Sequence, residues 1–132
     1  QTDRLGYFRS IGKLQGADGV IVPGSDDAGY TASKIYNYML CGRPMYCVFH
    51  SGSSVNNIVK NCKAGYSVTL QDDDDIKYSM FKKFLEDCLD ENWKSSLDLE
   101  EFSSFTAEYL TKKQTDFFTR VLKPQNSISN VH

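Results

Sequence analysis

With 132 residues, 15 basic against 17 acidic side chains and a formal charge of −2, the chain has room for one domain and no basic surplus with which to hold nucleic acid. No apolar run approaches the roughly 20 residues that a membrane helix needs, and Gln1 to Leu14 lacks a signal-peptide pattern. The four cysteines, Cys41, Cys47, Cys62 and Cys88, stand at spacings that suit neither a zinc site nor a disulfide, and His50 and His132 complete no ligand set. They read as buried free thiols, each behaving as a small hydrophobe.

In chain order, Leu5 to Phe8 reads as a short strand remnant and Ser10 to Gln15 as a short helix with Ile11 and Leu14 facing a sheet. Gly19 to Val22 is an apolar strand stopped by Pro23 and Gly24, followed by a polar loop, Ser25 to Ala32. A helix starts near Ser33, carries Ile35, Tyr36, Met39 and Leu40 on one stripe, and closes at Gly42 and Pro44. Met45 to Phe49 is the next buried strand. Val55 to Asn61 reads as a helix with Val55, Ile58, Val59 and Cys62 inward and Gly65 just past its end. Tyr66 to Leu70 is a third strand, alternating toward a sheet edge.

The acidic run Asp72 to Asp75 has no glycine or distal glutamate at calcium-loop spacing. It reads as a solvated loop whose charge suits the start of the following helix, Ile76 to Leu89. That helix has Ile76, Met80, Phe84, Leu85, Cys88 and Leu89 on one side. Phe102, Phe105 and Tyr109 space out a short helix. Thr111 with Gln114 forms a capping-box pattern that starts another, with Phe117, Phe118, Val121 and Leu122 as its apolar face. Residues 124–132 are polar and read as a disordered tail.

The order strand, loop, helix, turn, strand from Ala17 to Val48 describes a βαβ unit. The fold class is therefore α/β: a partial Rossmann-like domain with a short parallel sheet flanked by helices and a helical C-terminus. Open sheets of this kind bind ligands at the carboxyl edge, where crossover helices point their N-termini. Thr31, Ala32, Ser33 and Lys34 stand there as small, hydroxyl-bearing or cationic residues suited to a phosphate. An ordinary Ser or Thr cap followed by a solvated lysine explains them equally well. The loop His50 to Ser54 is a second candidate, whose N–H and hydroxyl donors could reach the same anion; composition alone favours a plain polar βα loop.

The run SKIYNYMLCGRPMYCV, Ser33 to Val48, resembles the nucleotide-sugar segment of glycosyltransferases with the GT-B fold, particularly family-four-like bacterial enzymes that build surface polysaccharides. Ala17, Asp18, Pro23, Ser33, Lys34, Tyr38, Gly42, Arg43 and Pro44 match the family's usual form. SSVNNIVKNCKAGYSV and FTAEYLTKKQTDFFTRVL resemble its later elements, so the likeness runs from about Leu5 to Leu122. The resemblance implies a C-terminal donor-binding domain over 1–123, incomplete on its N-terminal side, with an acceptor-binding domain of the same enzyme as partner.

The activity so implied is transfer of a sugar from a nucleoside-diphosphate sugar to a polysaccharide or lipid-linked acceptor, without a metal or other cofactor. Beginning at Gln1, the chain is expected to be a piece of such an enzyme, inactive alone, cytoplasmic, and peripheral at the inner membrane in the full-length protein. Donor-binding positions would be Tyr30, Thr31, Ala32, Ser33, Lys34, Asn37, Arg43 and Ser53, with Asp26 and Asp27 facing the sugar and the catalytic residues unassigned. Two departures fall in this region: Gly29 and Asn37 stand where many relatives carry glutamates eight positions apart. The alternatives are a catalytically inactive nucleotide-sugar-binding domain and a structural domain. A sugar-nucleotide epimerase shares the phosphate logic, but its Gly-Ser-Gly-Gly pattern is not seen. Aromatics of the last helices, lacking the other domain to cover them, would favour self-association.

Overall fold

A computed structural model describes residues 7–30 and 33–122. The expected strand at Leu5 and Gly6, the site positions Thr31 and Ala32, and the tail 124–132 lie outside the described residues. Three strands, β1 (Val20–Pro23), β2 (Met45–Phe49) and β3 (Tyr66–Thr69), form a parallel sheet in the order β1-β2-β3. Val20 pairs with Met45 and Tyr46 with Tyr66, so the three strands start and end nearly level. Among the described residues five helices accompany them: α1 (Tyr7–Gln15), α2 (Ile35–Leu40), α3 (Ser54–Asn61), α4 (Asp74–Leu89) and α5 (Leu99–Leu122). The α/β reading, with a short parallel sheet, flanking helices and a helical C-terminus, is the architecture observed.

Side-chain alternation along the strands divides the core into two. Val20, Val22, Met45, Cys47 and Phe49 face one side, where Ile35 and Met39 of α2, Val55, Ile58 and Val59 of α3, and Phe102 of α5 pack on them. Tyr46 and Val68 face the other side and meet Met80, Phe81, Phe84 and Cys88 of α4. Both faces of β2 are thus covered, which is why Met45–Phe49 is a continuous apolar run. Tyr46, Phe81 and Phe84 form an aromatic group with ring centroids 5.1 to 5.8 Å apart. Ile21 of the edge strand β1 lies beyond the reach of α4 and is 56% exposed.

Several helix boundaries and faces differ from expectation. Tyr7 and Phe8 belong to α1 rather than to a strand, and α2 begins at Ile35 with Lys34 at its cap position. In α2 only Ile35 and Met39 are buried; Leu40, about 100° further round the helix, is exposed. In α4 the inward arc is Met80, Phe81, Phe84 and Cys88. Ile76 and Leu89 sit at its ends and Leu85 one step off that arc, and all three are exposed. Gly42, at φ +71°, supplies the left-handed residue that ends α2 and turns the chain into β2.

The two expected C-terminal helices are one. α5 contains neither Gly nor Pro over Leu99–Leu122, so nothing in it breaks the backbone ladder. Thr111 does not cap: its hydroxyl donates backward to the Ala107 carbonyl at 2.9 Å, as Thr115 does to Thr111 and Thr119 to Thr115. The first part of α5 docks through Phe102, which meets Tyr36 edge-on at 6.1 Å between centroids. From Leu110 to Val121, every residue whose side chain is described is exposed, including Phe117, Phe118 and Val121 of the expected apolar face.

Candidate functional site

Because all three strands run the same way, β1, α2, β2, α3 and β3 deliver two loops and two helix starts to one edge of the sheet. The first loop follows Pro23. Gly24 donates to the Val48 carbonyl at 2.7 Å, and a Cβ there would come within 2.4 Å of the buried Phe49 ring, so the chain leaves β1 pressed against β2. Ser25, Asp26 and Asp27 then form a self-bonded turn. The Ser25 hydroxyl accepts from the Asp27 N–H at 3.1 Å, and the Asp27 carboxylate accepts from the Gly29 N–H at 2.9 Å. Asp27 thus holds its own loop, while Asp26 is exposed and receives a long donation from the Ser25 hydroxyl at 3.5 Å.

The second loop, His50 to Ser53, follows β2. The Ser51 N–H donates to Gln71 Oε1 at 2.8 Å, the Gly52 N–H to His50 Nδ1 at 3.0 Å and the Ser53 N–H to the His50 carbonyl at 2.9 Å. These donors, expected to be offered to a diphosphate, are engaged within the protein. Because Nδ1 accepts, a neutral His50 carries its proton on Nε2. Below the loop, the buried amide of Asn56 donates to the His50 carbonyl at 2.8 Å and accepts from the Ser67 hydroxyl at 2.9 Å. It joins β2, α3 and β3 at the edge. Asn56 was absent from the expected site, and its polar side chain among apolar neighbours gave no periodic signal.

Ser53 joins the two loops. It is 4% exposed, caps α3 by accepting from the Val55 N–H at 3.3 Å, and donates to the Tyr30 carbonyl at 3.4 Å. The hydroxyl expected to contact a ligand thus serves as a cap and a tether within the protein. A serine at an N-cap satisfies one orphan helix donor, and here the same oxygen also has a proton to spend on the neighbouring loop.

Of the expected donor-binding set, the edge brings together Tyr30, Ser33, Lys34 and Ser53, with Asn37 in the first turn of α2. Ser33, Lys34 and Tyr30 are exposed. Lys34 occupies the cap position of α2, where an ammonium cannot act as the accepting cap. Arg43 is elsewhere. It precedes β2 and so lies at the amino edge, about 20 Å of strand and turn from the loop that follows Phe49. There its Nε donates to the Gln15 carbonyl at 2.7 Å, fastening the end of α1 to the turn after α2.

The sheet's amino edge holds two adjoining cavities of about 240 and 320 Å³ that share Pro44, Asp87 and Trp93. Tyr66 donates to Asp87 at 2.7 Å at their border. A third cavity of about 370 Å³ lies where Tyr36 of α2, Ser54 and Ile58 of α3 and Phe105 and Lys112 of α5 meet, beside the helix starts. The cysteines are free, and burial pushes every thiol upward, that of Cys47 to about 12, which favours the neutral thiol over the thiolate. Among the described residues no cluster of His, Cys, Asp or Glu is arranged to hold a metal ion, and no helix is long and apolar enough to cross a membrane. No family model, curated protein or solved structure matches the chain.

Proposed function

We propose that the chain is the donor-binding part of a GT-B glycosyltransferase, which transfers a sugar from a nucleoside-diphosphate sugar to a polysaccharide or lipid-linked acceptor. The observation that carries this reading is the pair of loops tied by Ser53 at the carboxyl edge of a parallel sheet, with the starts of α2 and α3 and the exposed Lys34 beside them. A negative diphosphate at that edge gains from the positive end of α3 and from the lysine ammonium. Both favour the leaving group more as charge develops on it. The acceptor would be held by a second domain of the same enzyme, acting in the cytoplasm or at the inner membrane surface. No metal is required in this scheme.

A binding domain without catalysis is the second reading, and one observation favours it. Gly29 has no side chain to face a sugar, and the Asp27 carboxylate is turned onto the Gly29 N–H. Both readings share the nucleotide site, so one titration tests it. Uridine, guanosine and adenosine diphosphates are added to the isotope-labelled chain while amide shifts are followed. Shifts concentrated in residues 24–37 and 50–56, weakened by Lys34→Ala, support the site. Undisturbed spectra at millimolar nucleotide overturn it, and a structural role then remains. Nucleotide-sugar turnover by the chain joined to an acceptor domain separates enzyme from binding domain.

A further inference from the structure

The outer face of α5 carries large apolar residues that nothing among the described residues covers. Leu99, Leu110, Phe117 and Val121 are 59 to 64% exposed. At about 100° per residue they fall within roughly 40° of one another, on a stripe about 100° away from Phe102 and Phe105, which face the body of the protein. Ser103, Thr106 and Gln114 complete the stripe. The spacing, 99, 103, 106, 110, 114, 117 and 121, runs in steps of three and four residues, with two steps of four meeting at Leu110, and keeps one face of the helix in line. The helix is continuous from Leu99 to Leu122, and this face is turned away from the sheet on which Phe102 packs.

We propose that α5 pairs antiparallel with α5 of a second copy of this chain, about a twofold axis at Leu110. In that register Leu110 meets its own counterpart, Val121 lies opposite Leu99, Phe117 opposite Ser103, and Gln114 opposite Thr106. Apolar residues meet at the axis and at both ends, Phe117 meets the small Ser103, and the polar Gln114 and Thr106 meet each other. A parallel pair in register sets Phe117 on Phe117 and leaves Ser103 facing Ser103 across a gap.

Charge selects the same direction. Glu100, Glu101 and Glu108 lie in the first half of α5, and Lys112, Lys113 and Arg120, with Asp116, in the second. Antiparallel copies set the acidic half of each helix along the basic half of the other and oppose the two helix dipoles favourably. Parallel copies set like on like. The interface is isologous and closes on itself, so it ends at the dimer.

Light scattering on the intact chain through the micromolar range tests this. The expected mass is twice the 15.0 kDa of one copy. Leu110→Glu, which places two carboxylates at the axis, is expected to give a monomer with an unchanged circular dichroism spectrum. Phe117→Glu, in the part of α5 beyond the docked turns, is expected to do the same. Mixed under mild oxidation, Leu99→Cys and Val121→Cys are expected to cross-link with each other, against the background of the parent chain. A monomer at all concentrations, a dimer indifferent to both glutamate variants, or preferential cross-linking of Leu99→Cys with itself overturns the proposal.

Discussion

The Ser53 hydroxyl donates to the Tyr30 carbonyl while accepting from the Val55 N–H, so one oxygen caps α3 and fastens the loop after β1 to the loop after β2. Ser53→Ala removes both bonds at a site that is 4% exposed. The expected loss is about 1 kcal/mol, the usual cost of removing a serine cap. Urea unfolding followed by circular dichroism measures it, and hydrogen exchange at Tyr30 and Val55 should accelerate more than exchange in β2. Equal stability of the variant and the parent would refute the tether.

Asn56 is a stronger point of failure. Its amide satisfies the His50 carbonyl and the Ser67 hydroxyl together. Asn56→Leu keeps the approximate shape but strands both partners, and a buried group left unbonded costs more than a bond gains. The predicted loss is about 2 kcal/mol. Pairing it with Ser67→Ala removes one orphan, so the double variant should be more stable than the sum of the two losses predicts.

Gly24→Ala should distort the exit from β1. The added methyl would lie within 2.4 Å of the Phe49 ring and 2.5 Å of the Val48 carbonyl. Phe49 is 1% exposed and has no room to yield, so the strands must part. Overpacking of this kind costs about 2 kcal/mol. The amide shifts of residues 24–30 and 48–53 should move together, whereas Gly12→Ala, with open space around it, should leave them in place.

Stability is predicted to fall at high pH. Burial, then the hydrogen bond from Tyr66 to Asp87 and the nearby carboxylates, push the Tyr66 hydroxyl up from 10.0 to about 12, and burial pushes the Cys47 thiol from 9.0 to about 12. Both are acids that the fold keeps neutral. Their contribution is complete below about pH 9 and is lost as pH rises through 12, because the unfolded chain ionises first. The urea midpoint should therefore be level near neutrality and decline above pH 9, with Tyr66→Phe flattening the decline above pH 10.

The sheet was legible because its strands are buried on one or both faces. Met45–Phe49 is apolar throughout and agrees with its reading to the residue; β1 and β3 end in turn residues and shift by one. Helix faces were harder, since a stripe in sequence does not say how far the sheet beneath it extends. Ile76, Leu85 and Leu89 share periodicity with Phe84 but project past β2 and β3. Thr111 and Gln114 spell a cap that a continuous helix overrides by turning the hydroxyl backward. Arg43 is separated from the loops at the carboxyl edge by the whole of β2, and proximity in sequence to Lys34 concealed that distance. The Asn56 network depends on a serine two elements away, which no local pattern announces.

The backward bonds of Thr111, Thr115 and Thr119 also change what α5 shows to water. Each hydroxyl is directed at its own backbone, so a row that composition counts as polar has its donor protons engaged within the helix rather than offered to water. These residues stand four apart and lie beside Phe118. Solubility should therefore respond to them more than hydropathy suggests: exchanging them for glutamine would add hydrated amides without touching any residue that packs against the sheet.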